Sequence, residues 1–278
     1  ARRAWLLLQR KEHLGAGFKP QPWDQVEKVF REQGLTLEAR RIGVMREWER
    51  LGAGQLFLRP DADGAARRAW QRLLFFVPNL LLWLAYWLYG RLTGFGYFTS
   101  RVLLVAIPLW LLGVVIFDAA WRDGAMAPPK AFVLSNPAWT KCVETAPQNP
   151  AACWTEKGAP GARYYRFEPR LYSFDVFLPV LSLEQEESWE PAGGFGAPLA
   201  ASSLGRVVDD WAHWLSFGVL EGPTRVGRGL QGAIAWSVGE GATTGDVARF
   251  YRRFHEIMGY VLSGFLLAGF ARLVRQET

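Results

Sequence analysis

Three long apolar runs stand out along the chain, at Leu73–Tyr89, Val102–Phe117 and Ile257–Ala271. The second run contains no charged residue and lies between Arg101 and Asp118. At about 1.5 Å per residue it forms a helix of roughly 24 Å, so flanking residues must complete a bilayer core of about 30 Å. This run predicts a transmembrane helix. A buried helix of a soluble protein is the alternative, and the two further runs favour the membrane.

The last run, Ile257–Ala271, predicts a second crossing. Small residues recur in it four positions apart: Gly259 with Ser263, and Gly264 with Ala268. Such spacing lets a neighbouring helix approach closely, although small residues are also common in spans for other reasons. Both explanations fit the sequence.

The first run, Leu73–Tyr89, is apolar on all sides, but Pro78 and Asn79 are expected to break its helix near the start. It either crosses the bilayer or lies at its interface. The sequence therefore allows two spans or three.

Basic residues beside the runs bear on topology, because they concentrate on the cytoplasmic side. Arg91 and Arg101 precede the second run, while Arg272 and Arg275 follow the last one. This distribution favours two spans, cytoplasmic termini and an extracytoplasmic middle region. The opposite arrangement, with three spans, is favoured by the arginines just before the last run: Arg249, Arg252 and Arg253.

Near the N-terminus the polar pattern changes to helical periodicity. Trp23–Gln33 and Thr36–Leu51 are separated by Gly34, a residue suited to a helix C-terminus, and together they predict an αα-hairpin.

The fold class expected is a mainly α integral membrane protein with two or three transmembrane helices and a long irregular middle region. Its expected segments are a cytoplasmic hairpin (1–52), a linker (53–72), the first two runs (73–121), the middle region (122–255) and the last span with a cytoplasmic tail (256–278).

Two segments of the middle region are predicted to lie at the membrane surface. Residues 171–183 are apolar but interrupted by Asp175 and Pro179, which is typical of a re-entrant or interfacial element. Residues 207–220 place Trp211 and neighbouring aromatic residues on one helical face, as interfacial helices do.

Composition narrows the function classes. Of the residues, 50% are hydrophobic and 21% are charged, a mixture typical of a few spans joined to aqueous segments rather than of a many-helix transporter. The 14 Trp fit membrane interfaces. Residues 1–72 carry 15 Lys and Arg against 9 acids, which favours contact with anionic lipid over nucleic acid because no nucleic-acid-binding motif accompanies the charge. The bilayer is thus the first partner expected.

The chain begins without Met, so we expect it to be the downstream part of a longer polypeptide.

The chain has two cysteines, Cys142 and Cys153. In an oxidising compartment they can form a disulfide, whereas in the cytoplasm they would be free thiols. A metal site would need further ligands, and the three histidines lie far away in sequence, so no metal is predicted.

Two groups of polar residues are candidates for chemistry. Asp209 and Asp210 lie one helical turn from His213, so they could act as acid and base or bind a metal, although solvation of a helix edge explains them as well. The second group is acidic and could form a polar or ion site at a pore mouth, or simply a solvated face: Asp175, Glu184, Glu186 and Glu187. Phosphate-loop, dinucleotide-binding, nucleophile-elbow and zinc-protease motifs are absent from the sequence, so no cofactor is predicted.

Four blocks resemble, in order, the C-terminal membrane region of bacterial pentapeptide-repeat membrane proteins, often labelled membrane-associated oxidoreductases. They are Phe18–Arg50, TGFGYFTSR (Thr93–Arg101), LYSFDVFLPVLSLEQEESWEP (Leu171–Pro191) and GYVLSGFLLAGFARLVR (Gly259–Arg275). The resemblance implies a cytoplasmic repeat domain before residue 1, a helical hairpin, about two spans and a short extracytoplasmic element. It also implies the bacterial cytoplasmic membrane as the location.

Three functions follow as hypotheses. The favoured one is a non-enzymatic anchoring and assembly module that oligomerises through its spans or binds a membrane-protein partner. The second is a channel-like two-span protein in which residues 171–190 re-enter the bilayer. The third is a membrane-associated oxidoreductase.

Overall fold

The computed structural model describes residues 18–54, 65–178, 180–215, 232 and 241–277, with side chains omitted for 65–75, 200, 212–215 and 272–277. In these residues the chain is mainly helical. The helices are α1 Gln21–Glu32, α2 Thr36–Gly52, α3 Ala65–Thr93, α4 Leu103–Arg122, α5 Ala131–Leu134, α6 Pro137–Thr145, α7 Pro150–Trp154, α8 Pro169–Phe177, α9 Gln185–Ser188, α10 Ser203–Leu215 and α11 Thr244–Glu277. Short 3₁₀ helices lie at Thr99–Val102 and Leu199–Ala201.

The chain divides into two compact units. One comprises Ala1–Val105 and Gly264–Thr278, and the other comprises Ala106–Ser263.

In the first unit, α1 and α2 pack around Trp23 and Ile42. Gly34 has a φ of +75°, a conformation that costs glycine little, and it separates the two helices as the sequence predicts. After α3, the connector buries Phe95 in a left-handed conformation with a φ of +56°. The Phe95 ring lies 5.0 Å from Trp48 and 4.8 Å from Tyr86, measured between ring centroids. Aromatic packing therefore joins the connector to the hairpin and to α3.

The expected break at Pro78 is wrong, because α3 continues through Pro78 from Ala65 to Thr93. A proline inside a helix removes one backbone hydrogen bond, but the neighbouring turns keep theirs. Pro108 is likewise accommodated inside α4. Two missing bonds thus leave two long helices intact.

The second unit has a core of aromatic and aliphatic side chains from α4, the short helices and the first half of α11. Trp189, Tyr172 and Phe117 are its largest fully buried members. Met126–Ala127 (β1) pairs antiparallel with Glu190–Pro191 (β2), with Met126 opposite Pro191. Short helices α6, α7 and α8 each begin with proline, whose fixed φ suits the first helical turn.

Two helical segments of the described chain are long and apolar enough to cross a membrane, Thr99–Arg122 and Thr244–Ala271. They contain the second and third apolar runs. Only 28% of the apolar window of the first segment and 22% of that of the second are buried inside the protein.

Candidate functional site

Apolar side chains on α4 and α11 are exposed. On α4 they include Leu104, with 74% of its surface exposed, together with Leu103, Ile107, Leu111 and Leu112. On α11 they include Leu267, with 69% exposed, together with Ile257, Tyr260 and Phe270. Contiguous exposed apolar surface of this kind marks contact with lipid or with another protein.

The opposite side of α4 is held by polar contacts to its neighbours in the second unit. Ser173 Oγ donates to the Trp110 carbonyl at 2.9 Å, and Tyr251 Oη donates to the Leu109 carbonyl at 2.8 Å. Gly113 allows this approach, because a Cβ there would collide with Ser173 Oγ. These bonds fix α8 and α11 against α4.

A serine and a histidine form a buried pair at this junction. Ser173 Oγ lies 3.1 Å from His255 Nε2, which is also 3.0 Å from the Ser173 carbonyl. Both residues are fully buried, and the rings of Phe117, Phe177 and Tyr251 contact the imidazole. A nucleophile and its base need access to a substrate, so this burial favours a packing role. In the sequence, His255 is marked only by its position just before the apolar run Ile257–Ala271.

Asp175 is the buried member of the acidic group, with 3% of its surface exposed. One carboxylate oxygen accepts the Leu183 N–H at 2.7 Å, and the other accepts the Glu186 N–H at 2.9 Å. The Asp175 carboxylate therefore shapes the turn between α8 and α9.

The other acidic residues have separate roles. Glu186 binds Arg252 at 2.6 Å. Glu184 immediately precedes α9 with a φ of +61°, and it raises the pKa of the Tyr165 phenol through a hydrogen bond and its negative charge. A cavity of about 240 Å³ is lined by three of the four predicted residues, Asp175, Glu186 and Glu187, together with Glu256. Glu184 does not line this cavity.

The second predicted group lies on α10. Asp209 is half-buried and Asp210 is exposed. The side chain of His213 lies outside the described residues, as do residues 216–220 of the predicted interfacial segment. Among the described His, Cys, Asp and Glu side chains, no three are grouped so that they could hold a metal ion.

A residue that the sequence did not identify, Asp123, joins three parts of the second unit. Asp123 directly follows α4 in the chain. Its carboxylate accepts the Ser203 N–H at 3.0 Å and the Ser203 hydroxyl at 2.6 Å. It also accepts the Thr244 hydroxyl at 2.7 Å. Asp123 thus fixes the starts of α10 and α11, and its partners lie 80 and 121 positions away.

The hairpin of the first unit contains a network of charges in which Glu27 and Glu47 are buried and Asp24 is exposed. Arg46 pairs with Asp24, Glu27 and Glu47, and Tyr97 Oη donates to both Glu27 oxygens at 3.1 Å. Burial alone lowers the pKa of Arg46, but Tyr97 and the three carboxylates raise it above its ordinary value. The guanidinium therefore stays charged and holds α1, α2 and the connector together.

The two cysteines form a disulfide, with an S–S distance of 2.06 Å and a Cα–Cα distance of 5.7 Å. It joins α6 to α7 across a short loop. Asn136 caps α6 and Asn149 caps α7 by accepting backbone N–H groups, so each cysteine lies on a capped helix.

The small residues of α11 lie in different surroundings. Gly259 is buried, and a Cβ there would collide with the Phe177 carbonyl in the same unit. Ser263 is half-buried. Gly264 and Ala268 are exposed, and a Cβ on Gly264 would meet no atom of a described residue within 4 Å. Gly259 is therefore engaged within the chain, while Gly264 and Ala268 leave a flat, open face.

Comparisons of this chain with protein-family models, with curated proteins and with solved structures find no match.

Proposed function

We propose that this chain is a non-enzymatic membrane-anchoring and assembly module of the bacterial cytoplasmic membrane. Helices α4 and α11 cross the bilayer, and α3 lies at its interface. The hairpin and both ends of the chain are cytoplasmic, and the region between α4 and α11 is extracytoplasmic. Copies associate through α11.

The exposure of α4 is the observation that carries this proposal. Its side chains at Leu104, Ile107 and Leu111 would face water in a soluble monomer, at a cost of about 25 cal/mol for each Å² of apolar surface. In a bilayer the same surface is solvated by acyl chains. Apart from the one hydrogen bond that Pro108 removes, the backbone groups of α4 can be satisfied within the helix, as a lipid environment requires.

The disulfide supports an extracytoplasmic middle region. Disulfides persist in oxidising compartments and are rare in the cytoplasm. Cys142 and Cys153 both belong to the segment between the two proposed spans. The crossing by α4 then puts the charged hairpin in the cytoplasm, where basic segments are retained, and the crossing by α11 returns the chain to the cytoplasm.

The arginines before the last span oppose this orientation, but their contacts weaken the objection. Arg252 is paired with Glu186, and Arg249 lies close enough to Asp246 for their charges to interact. Glu190 lines a cavity together with these arginines. Neutralised arginines hold a segment in the cytoplasm less strongly than free ones.

The face formed by Gly264 and Ala268 supports self-association. Small residues four positions apart let two helix backbones approach and gain van der Waals contact in a bilayer. A second copy of α11 could pack on this face, because no described residue lies within 4 Å of a Cβ placed on Gly264.

A channel role, the second hypothesis, would put Asp175 on a permeation path. Both of its oxygens are engaged by backbone N–H groups, which favours a structural role for this carboxylate. The oxidoreductase label that accompanies the resemblance has no cofactor-binding motif in the sequence to support it, so we propose no redox chemistry.

Substituting arginine on α4 tests membrane insertion. We expect Leu111→Arg to lower the membrane-integrated fraction after alkaline carbonate extraction, because arginine at the centre of a span costs about 2.5–3.5 kcal/mol. Leu134→Arg is the matched control, since Leu134 on α5 is exposed to 48% and Leu111 to 49%. Equal integration of both variants, or release of the unmodified chain by carbonate, would contradict the proposal.

A further inference from the structure

The start of α11 forms one wall of a polar cavity of about 240 Å³. Its lining consists of Arg249, Arg252, Arg253, Glu190 and Pro191, all within the second unit. We call it the arginine cavity. Three guanidinium groups and one carboxylate line the cavity. Outside the lining, Glu186 pairs with Arg252 and Asp246 lies close to Arg249, so Arg253 is the guanidinium without an ion pair to a described residue.

Contacts within the chain use only part of this donor capacity. Arg252 donates to Glu186 through one terminal nitrogen, while its buried Nε has no partner among the described residues. Arg249 Nε reaches the Pro191 carbonyl at 3.4 Å. Arg253 is exposed and forms no ion pair with a described residue. Guanidinium donors gathered in this way bind phosphate oxygens well, because their planar fork matches two oxygens at once.

The position of the cavity along α11 indicates where its ligand comes from. Arg253 precedes Ile257, the first residue of the apolar run, by about 6 Å of helix, and Arg249 precedes it by about 12 Å. Lipid headgroups occupy a layer of about 5–7 Å outside the hydrocarbon core. Phe250 and Phe254 lie on the same turns and are exposed to 52% and 40%, as aromatic residues at an interface are. Arg253 is therefore at the depth of lipid phosphates, and Arg249, one helical turn farther from the apolar run, lines the same cavity.

From this geometry we propose that the arginine cavity binds the phosphate of a phospholipid headgroup, which anchors α11 at the extracytoplasmic surface of the bilayer. This inference rests on the proposed membrane insertion. Arg249 and Arg253 supply the donors, Arg252 is held in place by Glu186, and Glu190 limits the affinity by repelling the anion.

Native mass spectrometry of the full chain, released from detergent micelles with added lipid, tests this proposal. We expect phosphatidylglycerol to bind at least tenfold more tightly than diacylglycerol with the same acyl chains. The double substitution R249Q and R253Q should abolish this preference. R122Q is the matched control, because Arg122 ends α4, is exposed to 68% and pairs with Asp118. It should bind lipid as the unmodified chain does.

Two single variants separate lost binding from lost folding. R253Q removes a side chain without an ion pair to a described residue, so it should weaken phosphatidylglycerol binding several-fold while the unfolding temperature stays unchanged. E190Q should strengthen binding several-fold, which misfolding cannot do. An unchanged affinity in both variants would overturn the proposal.

The source of the phosphate is tested by competition. Inorganic phosphate at millimolar concentration should displace the lipid only weakly; if it binds as tightly as phosphatidylglycerol, the cavity is a site for free phosphate and the lipid assignment is wrong. Equal binding of diacylglycerol would also overturn the proposal. A chain that stays monodisperse without detergent would instead refute membrane insertion, so the two failures are distinguishable.

Discussion

At the scale of single residues, polar groups buried beside α4 differ in how well they are satisfied. Tyr251 Oη donates to the Leu109 carbonyl, whereas the fully buried Tyr172 hydroxyl has no partner among the described residues. Burial raises the pKa of Tyr172, so it stays protonated and neutral at ordinary pH. Both tyrosines belong to the same core, but the Tyr251 hydroxyl should stabilise the fold and the Tyr172 hydroxyl should destabilise it.

Removing each hydroxyl should therefore have opposite results. Tyr251→Phe loses a net favourable hydrogen bond and should lower the free energy of unfolding by about 1 kcal/mol. Tyr172→Phe removes an unsatisfied polar group and should leave the stability unchanged or raise it. Thermal unfolding of both variants in the same detergent measures the difference. A larger loss for Tyr172→Phe than for Tyr251→Phe would contradict this description of the core.

At the scale of elements, α11 uses its small residues in two ways. Gly259 faces the backbone of α8 inside the chain, whereas Gly264 faces outward. The spacing of small residues was visible in the sequence, but it could not show which of them face inward. That assignment depends on Phe177, which lies 82 positions before Gly259.

A pair of alanine substitutions on α11 separates these uses. Gly259→Ala should lower the free energy of unfolding by about 1–3 kcal/mol, because the added methyl overpacks the contact with Phe177. Gly264→Ala should be neutral or stabilising, since alanine favours helix over glycine by about 1 kcal/mol.

The bulkier Gly264→Ile should reduce dimers cross-linked in mild detergent while the unfolding temperature is retained. Persistence of those dimers would exclude this face as the contact between copies.

Local signals in the sequence predicted the helices well where each helix had its own start and stop. Gly34 separated α1 from α2, and uninterrupted apolar runs located α4 and the later part of α11. The start of α11 at Thr244 was not predicted, because the sequence assigned residues 122–255 to the middle region. Pro78 misled the prediction for α3, because a local rule about proline ignores the cooperativity of the neighbouring turns. Asp123 could not be identified because its partners, Ser203 and Thr244, are brought to it only by the fold.

At the scale of the whole molecule, the proposed function depends on the orientation of α4 and α11 in the membrane. Apolar helices, a charged hairpin and a disulfide-linked middle region form a consistent arrangement if α4 and α11 each cross the bilayer once. The disulfide is the feature most sensitive to this orientation, because its two cysteines are the only ones in the chain. Their redox state and accessibility report the side of the membrane directly.

Thiol labelling in intact cells shows on which side of the membrane the middle region lies. We expect a membrane-impermeant maleimide to label Cys142 and Cys153 only after an impermeant reductant is added, without permeabilisation. The matched control is Lys28→Cys in a chain with Cys142→Ser and Cys153→Ser, since Lys28 is 72% exposed on the hairpin and should react only in permeabilised cells. Labelling of the native cysteines that requires permeabilisation and no reductant would put the middle region in the cytoplasm and contradict the account.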